Sequence, residues 1–195
     1  MQDIQTVVCR CQDGQLDAFA ILFSHYQHRV YDLACTILRD DAAAEDVVQD
    51  TFLAVFQKID GFKGEAAFET WLTAIAVNQC RMRQRRRSVR QILSLEQLSP
   101  RRLFRLSSQD DHVADIVHSR QRRQSLWDVV DQFDERLRLP MILRYRYGFS
   151  CGDIAIILNL RRSTIYQQLN EGRRLLESAL QQQESRAPVQ AEFSS

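Results

Sequence analysis

Apolar residues recur three and four positions apart through most of this chain, the spacing of one face of an α-helix. The first such stripe, Leu16, Phe19, Ala20, Phe23, Tyr26, Val30, Leu33, Ala34 and Ile37, predicts a long helix over 16–38. Asp40 or Asp41 then supplies a capping carboxylate for a second helix over 42–59, with Val48, Phe52, Val55, Phe56 and Ile59 inward and Asp46, Gln49, Asp50 and Gln57 on the opposite edge. Gly61 and Gly64 bracket a loop, FKGEAAF at 62–68. A third helix is predicted over about 67–87. Phe68, Trp71, Leu72, Ile75, Gln79 and Met82 mark one of its faces, and Asn78, Arg81 and Arg85 share another.

Periodicity is lost over 88–118, apart from a short helical pattern near 92–106. The polar, acidic SSQDDH at 107–112 therefore reads as a linker. A second helical lobe begins near Ser119 with Leu126, Val129, Val130 and Phe133. Pro140 predicts a helix restart, because a proline inside a helix costs about 3 kcal/mol. Gly148 closes that helix. Residues 149–176 then follow a helix-turn-helix pattern. Ser150 and Asp153 suit an N-cap and first turn, while Ile154, Ile157 and Leu158 face inward. Ala155 is small where a second helix comes close, and Asn159 tolerates the left-handed conformation of the turn. In the second helix Ile165, Leu169 and either Leu175 or Leu176 face inward. Arg161, Arg162, Ser163, Thr164, Tyr166, Gln167 and Asn170 face out, with Arg173 and Arg174 beyond them. Such side chains contact base edges and phosphates. The tail over 183–195 reads as disordered.

With 6 Gly and 3 Pro in 195 residues and no alternating strand pattern, the predicted class is all-α. Two small helical domains, 1–90 and 119–182, are joined by a flexible linker over 91–118. A hydrophobic fraction of 45% is enough for real cores.

The net charge of +1 conceals alternating blocks. Residues 1–60 carry 10 acidic and 4 basic side chains, whereas 61–107 carry 10 basic and 3 acidic. Residues 108–135 are acidic again and 136–195 basic. Two kinds of partner surface are implied, with ordinary solvated helix faces as the plainer alternative. Arg81, Arg83, Arg85, Arg86, Arg87 and Arg90 form a cluster suited to phosphates.

The 5 cysteines are odd in number and contain no CxxC, so no disulfide framework is expected. Cys9 and Cys11 with His25 and His28 fit no familiar zinc spacing, and no metal or cofactor is expected. Neither a signal peptide nor a membrane-length apolar run stands out, so a cytoplasmic chain without membrane insertion is expected. No phosphate loop or nucleophile motif supports an enzyme.

These residues together resemble the extracytoplasmic-function (ECF) group of the bacterial RNA polymerase sigma-70 family, over 16–90 and 119–180. AEDVVQDTFLAVF (44–56) resembles region 2.2, FKGEAAFETWLTAIAVNQCRMRQRRR (62–87) regions 2.3 and 2.4, and RLRLPMILRYRYGFSCGDIAIILNLRRSTI (136–165) region 4. The resemblance implies that Asp46, Gln49 and Asp50 dock on core RNA polymerase. It implies that Phe62, Lys63, Phe68, Trp71, Asn78, Arg81, Arg85, Arg86 and Arg87 capture and melt −10 DNA, holding its single non-template strand. It also implies that Arg161, Arg162, Ser163, Thr164, Tyr166, Gln167, Asn170, Arg173 and Arg174 read −35 duplex. Phe68 and Trp71 can equally be core. The acidic linker, with Asp110, Asp111 and Asp115, takes the place of a segment that the family threads toward the active centre, or is a plain tether. Many members also meet an anti-sigma factor. The second helix departs from the family, whose members usually carry several Lys or Arg along it, by having Tyr166, Gln167 and Gln168 and then Glu171 and Gly172. Glu171 is repelled by phosphate, pointing to weak −35 binding or an unusual −35 sequence, and Gln167 and Asn170 are expected to favour adenine, because amides pair with its N6 and N7. A stand-alone helix-turn-helix regulator, or a polymerase-binding regulator without promoter activity, is the alternative.

Overall fold

The computed structural model of the chain describes residues 3–95 and 126–186. Among these residues all regular structure is helical. The chain divides into two compact units, one N-terminal and one C-terminal. The linker expected over 91–118 falls mostly outside the described residues, as do Asp110, Asp111 and Asp115.

The N-terminal unit holds α1 (Ile4–Gln12), α2 (Leu16–Leu38), α3 (Asp41–Lys58), a 3-10 turn (Ile59–Gly61) and α4 (Phe68–Leu95). Helix α2 has the predicted span and packs on α1, α3 and α4. Leu22, Val30, Leu33 and Ile37 of α2 meet Val47, Phe52 and Val55 of α3 and Leu72, Val77 and Cys80 of α4 in the core. Asp40 caps α3, its side chain accepting from the Ala43 amide at 3.0 Å.

Four expectations change here. Helix α1 was not foreseen, although Val7, Val8 and Cys11 bury one face of it. Phe56, expected inward on α3, is 51% exposed, because Thr51, Ala54 and Val55 take the inner positions. On α4 the inner face is rotated: Leu72, Thr73, Ala76, Val77 and Cys80 are buried, whereas Met82 is 46% exposed and Trp71 and Ile75 are half-buried. Ala76 and Cys80 on this face let α4 lie close to α2 and α3, while Met82 turns outward. Helix α4 also continues to Leu95, past the expected end at 87.

The C-terminal unit holds α5 (residues 126–130), α6 (Glu135–Met141), a π-helical turn (Ile142–Arg146), α7 (Cys151–Leu158) and α8 (Arg162–Arg186). Asp134 caps α6 by accepting from the Leu137 amide at 3.0 Å. Pro140 does not restart a helix. It lies inside α6, is buried, and stands two residues before the start of the π turn. Proline cannot donate to the carbonyl four residues back, and the ladder resumes in a wider register, with Tyr147 N donating to Ile142 O. Gly148 then takes a left-handed φ of 76°. The disorder expected over 183–195 does not hold for 183–186, which belong to α8; residues 187–195 lie outside the described residues.

Candidate nucleic-acid and polymerase interface

In the N-terminal unit the loop after the 3-10 turn is pinned by α1. The Gln12 carboxamide donates to Ile59 O at 3.0 Å and to Phe62 O at 2.9 Å. Gly64 takes the left-handed φ of 72° that turns the loop beside Gln5. Phe62 is thereby set with its ring centroid 5.1 Å from that of Trp71 and 5.7 Å from that of Phe68. Phe62 and Trp71 are half-buried and present aromatic surface to solvent. Phe68 is only 5% exposed and rests on Tyr26, 5.5 Å between centroids, so it supports the other two from below. Burial raises the Tyr26 phenol pKa, and Glu69 adds to the shift.

Helical spacing places Trp71, Asn78, Arg81 and Arg85 along one side of α4. Asn78, Arg85 and Arg86 are exposed, Arg81 is half-buried, and Lys63 projects from the loop into solvent. The arginine cluster does not act as one surface. Arg83 turns to α3, pairing with Asp46 and lying 3.9 Å from Asp50, and Arg87 pairs with Asp40 at 3.4 Å. Asp46, Gln49 and Asp50 are all exposed on α3. Two of the three residues expected at a polymerase surface are therefore tied to the helix that carries the arginines. Phe56 and the 58% exposed Leu53 lie on this helix as well.

The C-terminal unit contains the predicted helix-turn-helix. Ser150 and Asp153 form a reciprocal capping box, with Ser150 Oγ accepting from the Asp153 amide at 3.1 Å and Asp153 Oδ2 accepting from the Ser150 amide at 3.3 Å. The Arg144 guanidinium donates to Phe149 O at 3.0 Å and fixes the entry to α7. Asn159 takes the left-handed φ of 52° at the turn. Ile165, Gln168, Leu169 and Gly172 form the inner side of α8, with Leu176 half-buried and Leu175 45% exposed, so Leu176 and not Leu175 continues it.

Arg161, Arg162, Ser163, Tyr166, Gln167, Asn170, Arg173 and Arg174 are exposed, and Thr164 is half-buried. Several of these are held in place. Arg162 lies 5.7 Å over the Tyr166 ring, and Arg173 Nη2 donates to Asn170 Oδ1 at 2.6 Å. Asn170 must give up that bond to pair with adenine through both amide atoms. Glu171 is not a bare charge: Arg136 Nη2 of α6 donates to its Oε1 at 2.8 Å. Gly172 has a packing reason, because Met141 of α6 lies against it. No sequence spacing could pair residues 136 and 171.

Residues 22–90 match the family model of Sigma-70 region 2. The ECF RNA polymerase sigma-E factor of Haemophilus influenzae is 30% identical over 181 residues, covering 91% of this chain and 95% of that protein. The chain belongs to the ECF RNA polymerase sigma factors. The sigma factor is also similar to the RNA polymerase sigma-H factor of Pseudomonas aeruginosa, at 28% identity over 91% of this chain and 93% of the relative. Two solved structures share its fold. One is CnrH in complex with the cytosolic domain of CnrY, with a TM-score of 0.65 and 20% identity, covering 92% of this chain and 98% of CnrH. The other is the sigma factor RpoE of Bartonella quintana in complex with the anti-sigma factor NepR, with a TM-score of 0.61 and 22% identity, covering 84% and 96%. Among the described residues of the sigma factor no helix is long and apolar enough to cross a membrane.

Proposed function

We propose that this sigma factor binds core RNA polymerase through α3, reads −35 duplex with α8, and opens −10 DNA on the loop and outer side of α4. The domain limits under this reading are 1–90 and 119–182. The observation that carries it is the pair Phe62 and Trp71, 5.1 Å apart above the buried Phe68 and continued along α4 by Asn78, Arg81 and Arg85. Base stacking on an aromatic side chain is worth roughly 1–3 kcal/mol, enough to hold a base that has left the duplex, while arginines alongside neutralise its backbone. Phe68 supports the platform and does not itself stack a base.

Asp46, Gln49 and Asp50 offer carboxylates and an amide to basic side chains of the core enzyme. Leu53 and Phe56 give that partner, or an anti-sigma factor, apolar surface on the same helix. On α8, Arg161, Arg162, Arg173 and Arg174 hold phosphates, and Ser163, Thr164, Tyr166, Gln167 and Asn170 face base edges. The sigma factor contributes binding and strand separation; the phosphodiester chemistry belongs to the polymerase. Acting on core polymerase and promoter DNA, it works in the cytoplasm.

In vitro transcription tests this reading. Purified chain is added to sigma-free bacterial core polymerase with a promoter library, and the transcript starts are sequenced. Specific starts that share upstream and −10 motifs are expected. Association with core without specific starts would instead mark a polymerase-binding regulator, and DNA binding without core association a stand-alone regulator.

A further inference from the structure

Arg136 lies outside the helix-turn-helix, on the second residue of α6, and no motif singles it out. In the fold it reaches the flank of α8. Its Nη2 donates to Glu171 Oε1 at 2.8 Å, and its Nε stands 3.9 Å from Asp134 Oδ2. The side chain is still 54% exposed. A guanidinium has five N–H donors in a planar fork, and one carboxylate oxygen occupies one of them. Glu171 itself is one turn beyond Gln167 and three residues before Arg174 on α8, at the edge of the surface assigned to −35 duplex. The two helices are kept in register by Gly172, whose α-carbon faces Met141 with no room between them. The packing holds the backbone of Arg136 beside that edge, and the ion pair aims its side chain along it.

We propose that Arg136 is a duplex-contacting residue, aimed by Glu171, that gives the −35 surface an additional phosphate contact from outside the helix-turn-helix. Glu171 is then a positioning residue. Its charge is cancelled by the arginine that it orients, and the pair brings a cation to that edge. This inference rests on the reading of α8 as the duplex-binding helix.

The test is a salt titration of full-length chain on a short fluorescent DNA duplex of random sequence, followed by anisotropy. Each phosphate contact contributes about −0.9 to the slope of log affinity against log salt. Arg136→Ala should make the slope shallower by about that amount, and Arg136→Lys should keep most of it. Glu171→Ala alone should leave affinity unchanged or lower it. In the Arg136→Ala background the same substitution should raise affinity, because an unpaired carboxylate there faces phosphate. An unchanged slope in Arg136→Ala, or a gain in affinity from Glu171→Ala in the parent chain, overturns the proposal. Arg161→Ala and Arg162→Ala separate this outcome from failure of the underlying reading. If they reduce the slope and Arg136→Ala does not, only the role of Arg136 is lost; if all three are silent, α8 is not the duplex-binding helix. Far-UV circular dichroism melts confirm that each variant is folded.

Discussion

A methyl group added at Gly172 of α8 would stand 3.0 Å from both Cγ and Sδ of Met141 on α6. Replacing glycine by alanine inside a helix ordinarily gains about 1 kcal/mol. Here the opposing effect is larger. Met141 is 2% exposed, and its Cγ lies near the backbone, so it has little room to withdraw. Overpacking of this kind costs about 1–3 kcal/mol. Gly172→Ala should therefore lower stability by about 1 kcal/mol net, and Gly172→Val by more, in chemical denaturation followed by circular dichroism. A gain in stability from Gly172→Ala would show that Met141 yields freely.

Thr51 of α3 is fully buried, and its Oγ1 has no hydrogen-bond partner among the described residues. An unsatisfied buried hydroxyl costs roughly 1–3 kcal/mol. Valine has the same shape and a similar helix propensity. Thr51→Val should raise the denaturation midpoint, by about 1 kcal/mol in stability. Destabilisation would mean that the hydroxyl has a partner in solution.

These two sites also show what the sequence could and could not reveal. The span of α2, the Asp40 cap, the Ser150–Asp153 box and the left-handed Asn159 were all legible, because each depends on residues within a few positions of one another. The inner side of α4 is hard to read because its large residues divide between the core and the surface: Phe68 and Leu72 are buried, the others are not. Trp71 and Met82 turn outward while Ala76 and Cys80 go in, and apolar spacing alone cannot separate a core stripe from an exposed aromatic one. Helix α1 had a signal, Val7, Val8 and Cys11 at helical spacing, but only nine residues in which to show it. The contacts that decide how charges are used, Arg83 with Asp46 and Arg136 with Glu171, join residues 37 and 35 positions apart and depend on tertiary packing.

Gln12 links α1 to the proposed melting loop. Its two donations, to Ile59 O and Phe62 O, fix the backbone from which the Phe62 ring approaches Trp71. Gln12→Leu should weaken binding of a single-stranded −10 oligonucleotide by holoenzyme several-fold, with core affinity unchanged. Phe62→Ala removes the aromatic face itself and should cost about 10-fold, from a stacking contribution of roughly 1–3 kcal/mol. Equal losses in core binding and strand binding would instead indicate general unfolding of the unit.

Arg83 competes with any basic partner for Asp46 and Asp50. Partly exposed ion pairs of this kind are worth roughly 0.2–1 kcal/mol. Arg83→Ala should thus leave the melting temperature almost unchanged. It should also strengthen association with core polymerase by about two- to five-fold at low salt, an advantage that fades as salt rises. Weaker association would mean that Arg83 orients the two carboxylates for their partner and does not compete with it.

Cys80 makes stability fall at high pH. Its thiol is completely buried between α4 and the rest of the N-terminal core, and burial pushes its pKa up to about 12 from an ordinary value of 9.0. In the unfolded chain the thiol ionises above pH 9.0, whereas in the folded chain it stays neutral until about 12. Stability from this group is therefore complete below pH 9.0 and declines between 9.0 and about 12, by up to about 1.4 kcal/mol per pH unit. Cys80→Ala should be less stable than the parent at pH 7, because it leaves a small cavity. Its stability should nevertheless fall less steeply above pH 9, so that the gap between the two narrows. Every other ionisable group is common to the two proteins, so the difference between the paired denaturation curves isolates Cys80. Parallel pH profiles for the two would show that the Cys80 thiolate is reached by water without unfolding.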